Sequence, residues 1–534
     1  MSQTYPIYGP PGTGKTTYLS SRIQAACERR GRDEVTVCSL TRAAARELKG
    51  RDLELPDGQL GTLHSLCFHA LGRPELVYKH IERWNEEFPH RKLPLDTRAS
   101  SIDTDDDLRR VGDEDEAADL LEEIHLKRAL MVPREVWPDR LRSLDIEWEQ
   151  WKEENELKDF TDLIEEGLEY LDAAPGRPSV LVGDEAQDWS SLELALFAKW
   201  GRKAEIVLMA GDPDQSIYAW RGANPRVFMD LDVPKENRQY LQKSYRLPSK
   251  PLEFSRRWIS RVRNREDVEF EPARDGGSVQ YLGCSYVDPY PIIDLVEKEI
   301  AQDRTVMILG TCGYILNPVI SLLREAGIPF HNPYATSRGN FNPLQRKKRA
   351  VMPVDRVLSF VRPHEGLGEF AGEWDRDDLR KWMVVMDSKS VLAHGVKAFV
   401  QEKGFSVPPT YEEFEAMFQE PSHAEAAVNL DLDWFLSSLL MARRKSLTYP
   451  AHIVKKRGPM ALIEKPKVVV GTIHSVKGAE ADTVIVFPDL SRAGWDEYTG
   501  GGFENVARVF YVAFTRTKDK LFLCQPGNKW AVSW

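Results

Sequence analysis

The chain has few cysteines, and no pattern joins them. Its 534 residues include six cysteines, and no two of them form a C-x-x-C pair; they lie at positions 27, 38, 67, 284, 312 and 524. This scatter argues against a disulfide framework and against a cysteine-based zinc site. It is typical of free thiols in a reducing compartment.

The sequence also lacks the marks of a secreted, membrane-bound or uniformly basic protein. The first residues, MSQTYPIYGP, have no charged flank followed by an apolar core, and no apolar run approaches the length that spans a bilayer. The formal net charge of −11 argues against a basic coat, although a local cleft can still be basic. We therefore expect a soluble, cytoplasmic protein without a membrane partner.

Short, continuously apolar segments alternate with helical stretches along the chain. Such segments are typical of parallel strands that are covered on both faces. Two groups, far apart in sequence, predict an α/β fold with two parallel sheets. The segments are residues 5–8, 35–40, 179–185 and 205–212, then 305–310, 467–473, 483–488 and 520–525.

Two mostly helical segments are predicted to interrupt these sheets. Residues 72–160 are polar and include an acidic run at 101–123, which we interpret as a solvated loop that enters a helix. Residues 360–455 are also helical in pattern. A basic cluster at 345–350 is predicted to be a solvated face rather than a nucleic-acid contact.

The motif GPPGTGKTT follows the first apolar segment and precedes a helical stretch. This order of strand, loop and helix is the context of a nucleotide-binding phosphate loop. Lys15 is predicted to reach the β- and γ-phosphates, and the Thr16 hydroxyl to hold Mg²⁺. The other predicted nucleotide-binding residues of this loop are Gly9, Gly12, Thr13, Gly14 and Thr17.

The apolar segment at 179–185 ends in paired acids, in the stretch VLVGDEAQD. Asp184 is predicted to complete the Mg²⁺ site, and Glu185 to polarise the attacking water. The alternative is a helix N-cap with acids in its first turn, which accounts for one acid but not for the pair.

The apolar segment at 205–212 leads into GDPDQSIYAWRGA, residues 211–223, which contains both polar and aromatic residues. Tyr218 and Trp220 are two residues apart, so both could face one side of an extended loop. The two rings would then stack on bases of a single strand, and Arg221 would add a cation that stacks or holds a phosphate. The alternative is that Trp220 is a core anchor, the usual fate of a tryptophan.

The order of these motifs resembles the UvrD/Rep family of superfamily 1 DNA helicases. The blocks that carry the resemblance run from residue 9 to 521. They are GPPGTGKTT, SLTRAAARELKG, GTLHSLCFHAL, DFTDL, VGDEAQD, GDPDQSIYAWRGA, QKSYRLP, GTIHSVKGAEADTVIV and VFYVAFTRTKDKL. The two helical segments carry little of it.

The resemblance implies two RecA-like motor domains, each interrupted by a mostly helical insertion. The expected first motor comprises residues 1–71 and 161–235, with residues 72–160 as its insertion. The expected second motor comprises residues 236–359 and 456–534, with residues 360–455 as its insertion.

The resemblance also assigns roles residue by residue. Gln215 would sense the γ-phosphate, and Arg246 and Arg516 would be arginine fingers. Tyr245 would stack near the adenine, while Glu480, with Gly478 beside it, would touch the nucleotide sugar. The expected DNA path includes Thr41, Thr62, His64, Thr472 and His474. From the residues alone, Arg516 could equally be a helix-end cap, and both histidines could be structural.

We therefore expect an ATP hydrolase that moves 3′-to-5′ along single-stranded DNA and unwinds duplex DNA, in repair, recombination or replication. Expected partners are ATP, Mg²⁺, single strands and duplex junctions, with the chain as a monomer or weak dimer. One alternative is a DNA-dependent ATPase that strips or remodels protein–DNA complexes without unwinding. Another is an RNA helicase.

Overall fold

The computed structural model describes residues 2–40, 55–95, 116–334, 340–346, 350–361, 374–402 and 410–534. The chain divides into two compact units. The first comprises Met1–Tyr281, Thr472–Leu523 and Asn528–Trp534, and the second comprises Leu282–Gly471 and Cys524–Gly527. Among the helices in the described ranges, none combines the length and apolarity needed to cross a membrane.

The strands of the described residues are numbered in chain order. They are β1 (Gln3–Tyr8), β2 (Val35–Ser39), β3 (Leu60–Thr62), β4 (Glu75–Leu76), β5 (Leu157–Lys158), β6 (Val180–Gly183), β7 (Ile206–Gly211), β8 (Gln239–Tyr240), β9 (Ser278–Leu282), β10 (Val306–Gly310), β11 (Phe330–His331), β12 (Val468–Thr472), β13 (Ala481–Val486) and β14 (Thr517–Cys524).

The α-helices of the described residues belong to both units. Those of the first unit are Lys15–Arg30, Leu63–Ala70, Ile81–Glu87, Glu116–Ala129, Asp139–Glu154, Phe160–Tyr170, Ser191–Gly201, Pro225–Met229, Ser249–Ile259, Arg492–Thr499 and Phe503–Phe514. Those of the second unit are Tyr290–Ala301, Gly313–Glu325, Pro353–Val361, Arg376–Trp382, Val396–Gln401, Tyr411–Glu415, Pro421–Val428, Leu432–Ser437 and Met441–Arg457.

A six-stranded parallel sheet forms the centre of the first unit, in the order β3-β2-β6-β7-β1-β8. Its middle strands are buried because helices cover them; Ile7, Val37 and Val182 pack with Leu19 and Ile23 of the helix Lys15–Arg30. Strands that run in one direction end at one edge. The loops that follow β1, β3, β6 and β7 therefore leave this sheet on the same side.

The other strands are also largely parallel. In the first unit, β13, β14 and β9 hydrogen-bond in that order, and β13 and β14 are parallel. In the second unit, β11, β12 and β10 follow one another, and β11 and β12 are parallel. All eight predicted strands are present, and the predicted α/β class with parallel sheets is confirmed.

The helical part of the first unit has a core of its own. Trp84, Trp148 and Trp151 are almost completely buried, and the ring centroids of Trp84 and Trp148 lie 5.0 Å apart. The predicted acidic loop falls mostly on residues 101–115, outside the described residues, and the helix Glu116–Ala129 follows it.

A buried ion-pair cluster joins this helical part to the helix Phe160–Tyr170. Asp159 and Asp162 form the capping box of that helix, and their carboxylates also accept from Arg128 (3.0 and 2.6 Å) and Lys152 (2.7 and 2.6 Å). The two cations compensate the charges of the aspartates, so the acids of the DFTDL motif link the helix Phe160–Tyr170 to the helices that carry Arg128 and Lys152. Arg128 and both aspartates are buried, and breaking such a pair leaves an uncompensated charge.

We expect Arg128→Met to lower the free energy of unfolding by about 3–5 kcal/mol, because Asp159 would remain buried without its guanidinium partner. Urea unfolding followed by tryptophan fluorescence measures this, since four tryptophans lie in the surrounding core. Arg142→Met is the matched control, because Arg142 pairs with Asp139 on an exposed helix face. Equal unfolding midpoints for the two variants would contradict the role of the cluster.

Candidate nucleotide and nucleic-acid site

The phosphate loop lies at the end of β1 and folds over Lys15. Gly12 and Gly14 have φ of 73° and 75°, a left-handed conformation that disfavours side chains. The Lys15 ammonium donates to the Gly9 carbonyl at 2.7 Å, and a Cβ on Gly9 would lie 2.1 Å from Lys15 Cγ. The helix Lys15–Arg30 begins directly after Gly14, so its N-terminus faces this loop.

The segment Ser244–Arg246 packs against the same loop. The Tyr245 amide donates to the Gly12 carbonyl at 2.7 Å, and the Ser244 hydroxyl to the Pro11 carbonyl at 3.0 Å. The Tyr245 side chain is 73% exposed beside Gly14, which leaves its ring accessible at the edge of the loop.

Arg246 pairs with a residue from the C-terminal part of the first unit. Its Nε lies 2.8 Å from Glu480 Oε2, and Lys518 Nζ lies 2.9 Å from Glu480 Oε1. Burial raises the pKa of Glu480, but Lys518 and Arg246 outweigh it and the net shift is downward. Glu480 is therefore a carboxylate, and Gly478 two residues before it has φ of 86°.

Asp184 and Glu185 stand at the end of β6 as predicted. Asp184 is buried, and its amide donates to the Cys38 carbonyl at 2.9 Å. Glu185 has φ of 55°, a strained backbone conformation that is common at functional sites. Burial raises the pKa of Glu185, but Lys15 and Lys477 outweigh it, so the group is an ionised carboxylate and can accept a proton.

Gln215 and Arg516 are in direct contact. Arg516 Nη2 donates to Gln215 Oε1 at 2.7 Å, and Gln215 Nε2 donates to Asp212 Oδ2 at 2.5 Å. Arg516 is 1% exposed, and burial together with the nearby Arg246 lowers its pKa to about 9. Because burial and Arg246 both disfavour the positive charge of Arg516, an anion that entered beside it would be stabilised.

Three cationic side chains that the sequence reasoning missed also hold the loop after β7. Lys477 donates to the Gln215 carbonyl at 2.7 Å, and Arg508 to the Pro213 carbonyl at 3.1 Å. Arg265 binds both oxygens of Asp214. Lys477 lies inside the GTIHSVKGAE block, so its place in a motif could have identified it. No local sequence pattern pointed to Arg265.

Gln187 and Asp188 connect Glu185 to Lys477. Gln187 Nε2 donates to Glu185 Oε2 at 2.5 Å and to Asp188 Oδ2 at 2.8 Å, and Lys477 forms a short ion pair with Asp188. Burial raises the pKa of Asp188 to about 6, although Lys477 opposes the shift.

The aromatic half of the loop differs from the predicted extended chain. Ala219–Arg221 is a 3-10 turn, so Tyr218 and Trp220 do not present one common face. Tyr218 is 3% exposed and Trp220 is 44% exposed, with ring centroids 6.3 Å apart. Arg221 lies over both rings, at 5.7 and 6.0 Å. Trp220 is therefore not a core anchor.

The two histidines of the GT-x-HS motifs have different surroundings: His474 contacts the aromatic loop, whereas His64 contacts Glu193 and Phe160. His474 Nε2 lies 3.1 Å from the Ile217 carbonyl, and its ring is 6.0 Å from that of Tyr218. His64 is 3.5 Å from Glu193, and burial lowers its pKa to about 4, so it is neutral.

The threonines of these motifs have matching hydrogen bonds. Thr62 Oγ1 accepts from the Ser65 amide at 3.1 Å, and Thr472 Oγ1 accepts from the Ser475 amide at 3.3 Å. Both threonines are buried, and each is the last residue of a parallel strand, Thr62 of β3 and Thr472 of β12. Thr41 lies outside the described residues, and Leu40 before it is buried.

The residues predicted for Mg²⁺ fit that ion by their chemistry. Mg²⁺ prefers hard oxygen ligands and few protein groups. Thr16 offers a hydroxyl at the start of the helix that follows the phosphate loop, and Asp184 offers a carboxylate beside Glu185. The role of these two residues stays a prediction.

The sequence also matches known families over both ends of the chain. Residues 1–235 match the UvrD/REP helicase N-terminal domain, and residues 447–526 match the UvrD-like helicase C-terminal domain. The chain belongs to the UvrD/Rep helicase family. The predicted RecA-like fold class is thereby confirmed, and so is the prediction of an ATP-hydrolysing helicase.

Two relatives of this UvrD-like helicase align with almost its whole length, and a third aligns with less than half of it. The ATP-dependent DNA helicase UvrD2 of Mycobacterium bovis is 22% identical over 98% of this chain and 76% of the relative. The Bacillus subtilis protein YjcD is 22% identical over 97% and 76%. The ATP-dependent DNA helicase PcrA of Staphylococcus aureus is 26% identical over 45% of this chain and 36% of its own length.

We expect the ATPase rate of this UvrD-like helicase to fall as the pH drops through about 6. Protonation of Asp188, whose pKa is about 6, removes the negative charge that pairs with Lys477. The measurement is kcat between about pH 8 and pH 5. Asp188→Asn should already be slow at the higher pH. A wild-type rate that stays constant through this range would contradict the assignment.

Proposed function

We propose that this helicase is an ATP-dependent translocase that moves 3′-to-5′ along single-stranded DNA and unwinds duplex DNA. The observation that carries the proposal is the loop after β7. Its first half holds Gln215 against Arg516, and its second half exposes Trp220. Only four residues therefore separate the side chain that contacts Arg516 from an accessible aromatic ring.

The hydrolytic half uses residues that the first unit brings together. Lys15 and the backbone of the phosphate loop would bind the phosphates, and Glu185 would accept a proton from the attacking water. Arg516 and Arg246 would bring positive charge to the γ-phosphate. A Mg²⁺ held by Thr16 and Asp184 would neutralise phosphate charge when bound.

The two fingers start from different contacts. Arg246 pairs with Glu480, whereas Arg516 contacts Gln215. Nucleotide entry would therefore require Arg246 to exchange a carboxylate for a phosphate oxygen, while Arg516 would keep its contact with the sensor. We also propose that Tyr245, exposed beside the phosphate loop, stacks on the adenine.

The strand-binding half would centre on Trp220. A base stacked on an aromatic ring contributes on the order of 1–3 kcal/mol whatever its sequence, as a translocase requires. Arg221 lies over the Trp220 ring and could hold a phosphate. Tyr218 is buried beneath them, so we propose that it supports the platform and contacts the strand only at its edge. Thr62, His64, Thr472 and His474 remain proposed contacts along the path.

The names of the relatives support DNA as the substrate, since UvrD2 and PcrA are both named ATP-dependent DNA helicases. The 3′-to-5′ direction, the two-motor boundaries given above and a role in repair, recombination or replication are our proposals. A cytoplasmic location and a monomer or weak dimer are proposed with them. The alternative is a DNA-dependent ATPase that remodels protein–DNA complexes without unwinding.

We expect Lys15→Ala to abolish ATPase activity stimulated by single-stranded DNA, because the phosphates lose their cation. The measurement compares the ATPase rates with single-stranded DNA, duplex DNA and RNA. Lys92→Ala is the control, because Lys92 is an exposed lysine outside the proposed site. A Lys15→Ala variant with full stimulation would overturn the hydrolytic mechanism. RNA stimulating as well as DNA would overturn the choice of DNA.

Strand displacement separates translocation with unwinding from remodelling. On a 3′-tailed duplex, we expect displacement that requires ATP and is absent from a 5′-tailed duplex. Stimulated ATPase without displacement on either substrate would favour the remodelling alternative.

We expect Gln215→Ala and Trp220→Ala to have separable defects. Gln215→Ala removes the contact with Arg516, so ATP hydrolysis should lose its response to DNA. Trp220→Ala should spare ATPase without DNA and impair movement and strand affinity, by about tenfold for each lost stacking contact of roughly 1.4 kcal/mol. Both rates are measured with and without single strands. Identical defects in the two variants would contradict the division of the loop.

A further inference from the structure

We propose that Arg265, acting through Asp214 and together with Arg508, is a positioning residue that holds the γ-phosphate sensor in register with Arg516. This inference rests on the proposed hydrolytic function. Arg265 lies outside every recognised motif, 19 residues after Arg246.

The contact between Arg265 and Asp214 is bidentate, and its carboxylate is buried. Arg265 Nε donates to Asp214 Oδ1 and Oδ2 at 3.2 and 3.0 Å, and its Nη2 donates to Oδ2 at 2.7 Å. Asp214 is only 4% exposed. A planar guanidinium with two parallel contacts fixes direction as well as distance, which a lysine cannot do.

Arg508 adds two further hydrogen bonds to the same arrangement. Its Nε donates to the Pro213 carbonyl at 3.1 Å, and its Nη2 donates to the Asn264 carbonyl at 2.6 Å. Asp214 and Pro213 are adjacent, and so are Arg265 and Asn264. The four residues and Arg508 therefore form a closed ring of contacts between the sensor loop and the 264–265 segment.

The ring reaches the site through one helix. Arg508 belongs to the helix Phe503–Phe514, and Arg516 follows that helix after one further residue. Arg516 Nε donates back to the Val512 carbonyl at 3.0 Å, so its guanidinium is tied to the same helix. Gln215 follows Asp214 directly. Both partners of the Gln215–Arg516 contact are thus anchored by the ring.

Charge explains why an arginine is needed at this place. Asp212 and Asp214 are both buried and two residues apart, and Asp212 accepts from Gln215. Two buried carboxylates repel each other unless a cation compensates one of them. Without Arg265, Asp214 would leave its position or take up a proton, and the loop would lose its anchor next to the sensor. Displacements of about 1 Å in such groups can lower a rate by about two orders of magnitude.

The test compares Arg265→Gln with Arg263→Gln, a matched control whose side chain is exposed two residues away. We expect Arg265→Gln to lower kcat for ATP hydrolysis by about tenfold or more while KM for ATP changes by less than about threefold. A loss of folding would instead reduce the active fraction and the thermal stability. The full chain is used, and kcat is measured with and without single-stranded DNA.

Two further variants separate positioning from general stability. Arg265→Lys keeps the charge but not the bidentate grip, so its kcat should lie between those of wild type and Arg265→Gln; it also serves if Arg265→Gln does not fold. If Arg265 acts through Asp214, the double variant Asp214→Asn/Arg265→Gln should be no slower than Asp214→Asn alone, because effects through one contact are not additive.

The outcomes distinguish this inference from the proposed function. Equal kcat values for Arg265→Gln and Arg263→Gln, or additive losses in the double variant, would overturn the positioning role. A wild-type protein whose ATPase does not respond to DNA would overturn the proposed translocase, while the basal kcat of the variants would still decide the role of Arg265.

Discussion

The buried guanidinium of Arg516 is the constraint on which the rest of the site depends. A charge that is almost fully removed from water must find polar partners, and Arg516 finds the Gln215 side chain and the carbonyls of Val512 and Ala479. These three acceptors are neutral oxygens, and so is the Thr515 hydroxyl, which Arg516 Nη2 also contacts. The site is therefore built around a cation that has no direct carboxylate partner among these contacts. Glu185 is close enough to act on Arg516 electrostatically.

The parallel sheet of the first unit provides the frame for this arrangement. Because β1, β6 and β7 run in one direction, the phosphate loop, the Asp184–Glu185 pair and the loop after β7 all leave the sheet at one edge. The C-terminal segment of the same unit then supplies Lys477, Arg508 and Arg516 as contacts for the loop after β7. Regular backbone pairing sets the positions of the loops, and charged side chains set their conformations.

A continuous set of contacts joins Glu185 to the aromatic residues Tyr218 and Trp220. Gln187 bridges Glu185 and Asp188, Asp188 pairs with Lys477, and Lys477 lies 5.1 Å from the Tyr218 ring, beside Trp220. Asp188 and Tyr218 are buried in this set and Lys477 is charged, so a change in charge at one end alters the electrostatic forces at the other. This set provides a physical path by which hydrolysis and strand binding could influence each other.

The sequence by itself determined the fold class, the strands and the identity of the main motifs. Apolar runs such as 205–212 must be buried, and glycines and acids at strand ends have few alternatives there. It did not determine that Tyr218 is buried while Trp220 is exposed, because that depends on a 3-10 turn and on the packing of His474 and Lys477. Nor could it pair Asp214 with Arg265, 51 residues away, or Arg516 with Gln215, 301 residues away. Local spacing fixes which groups are present, but only the tertiary structure brings distant charges into contact.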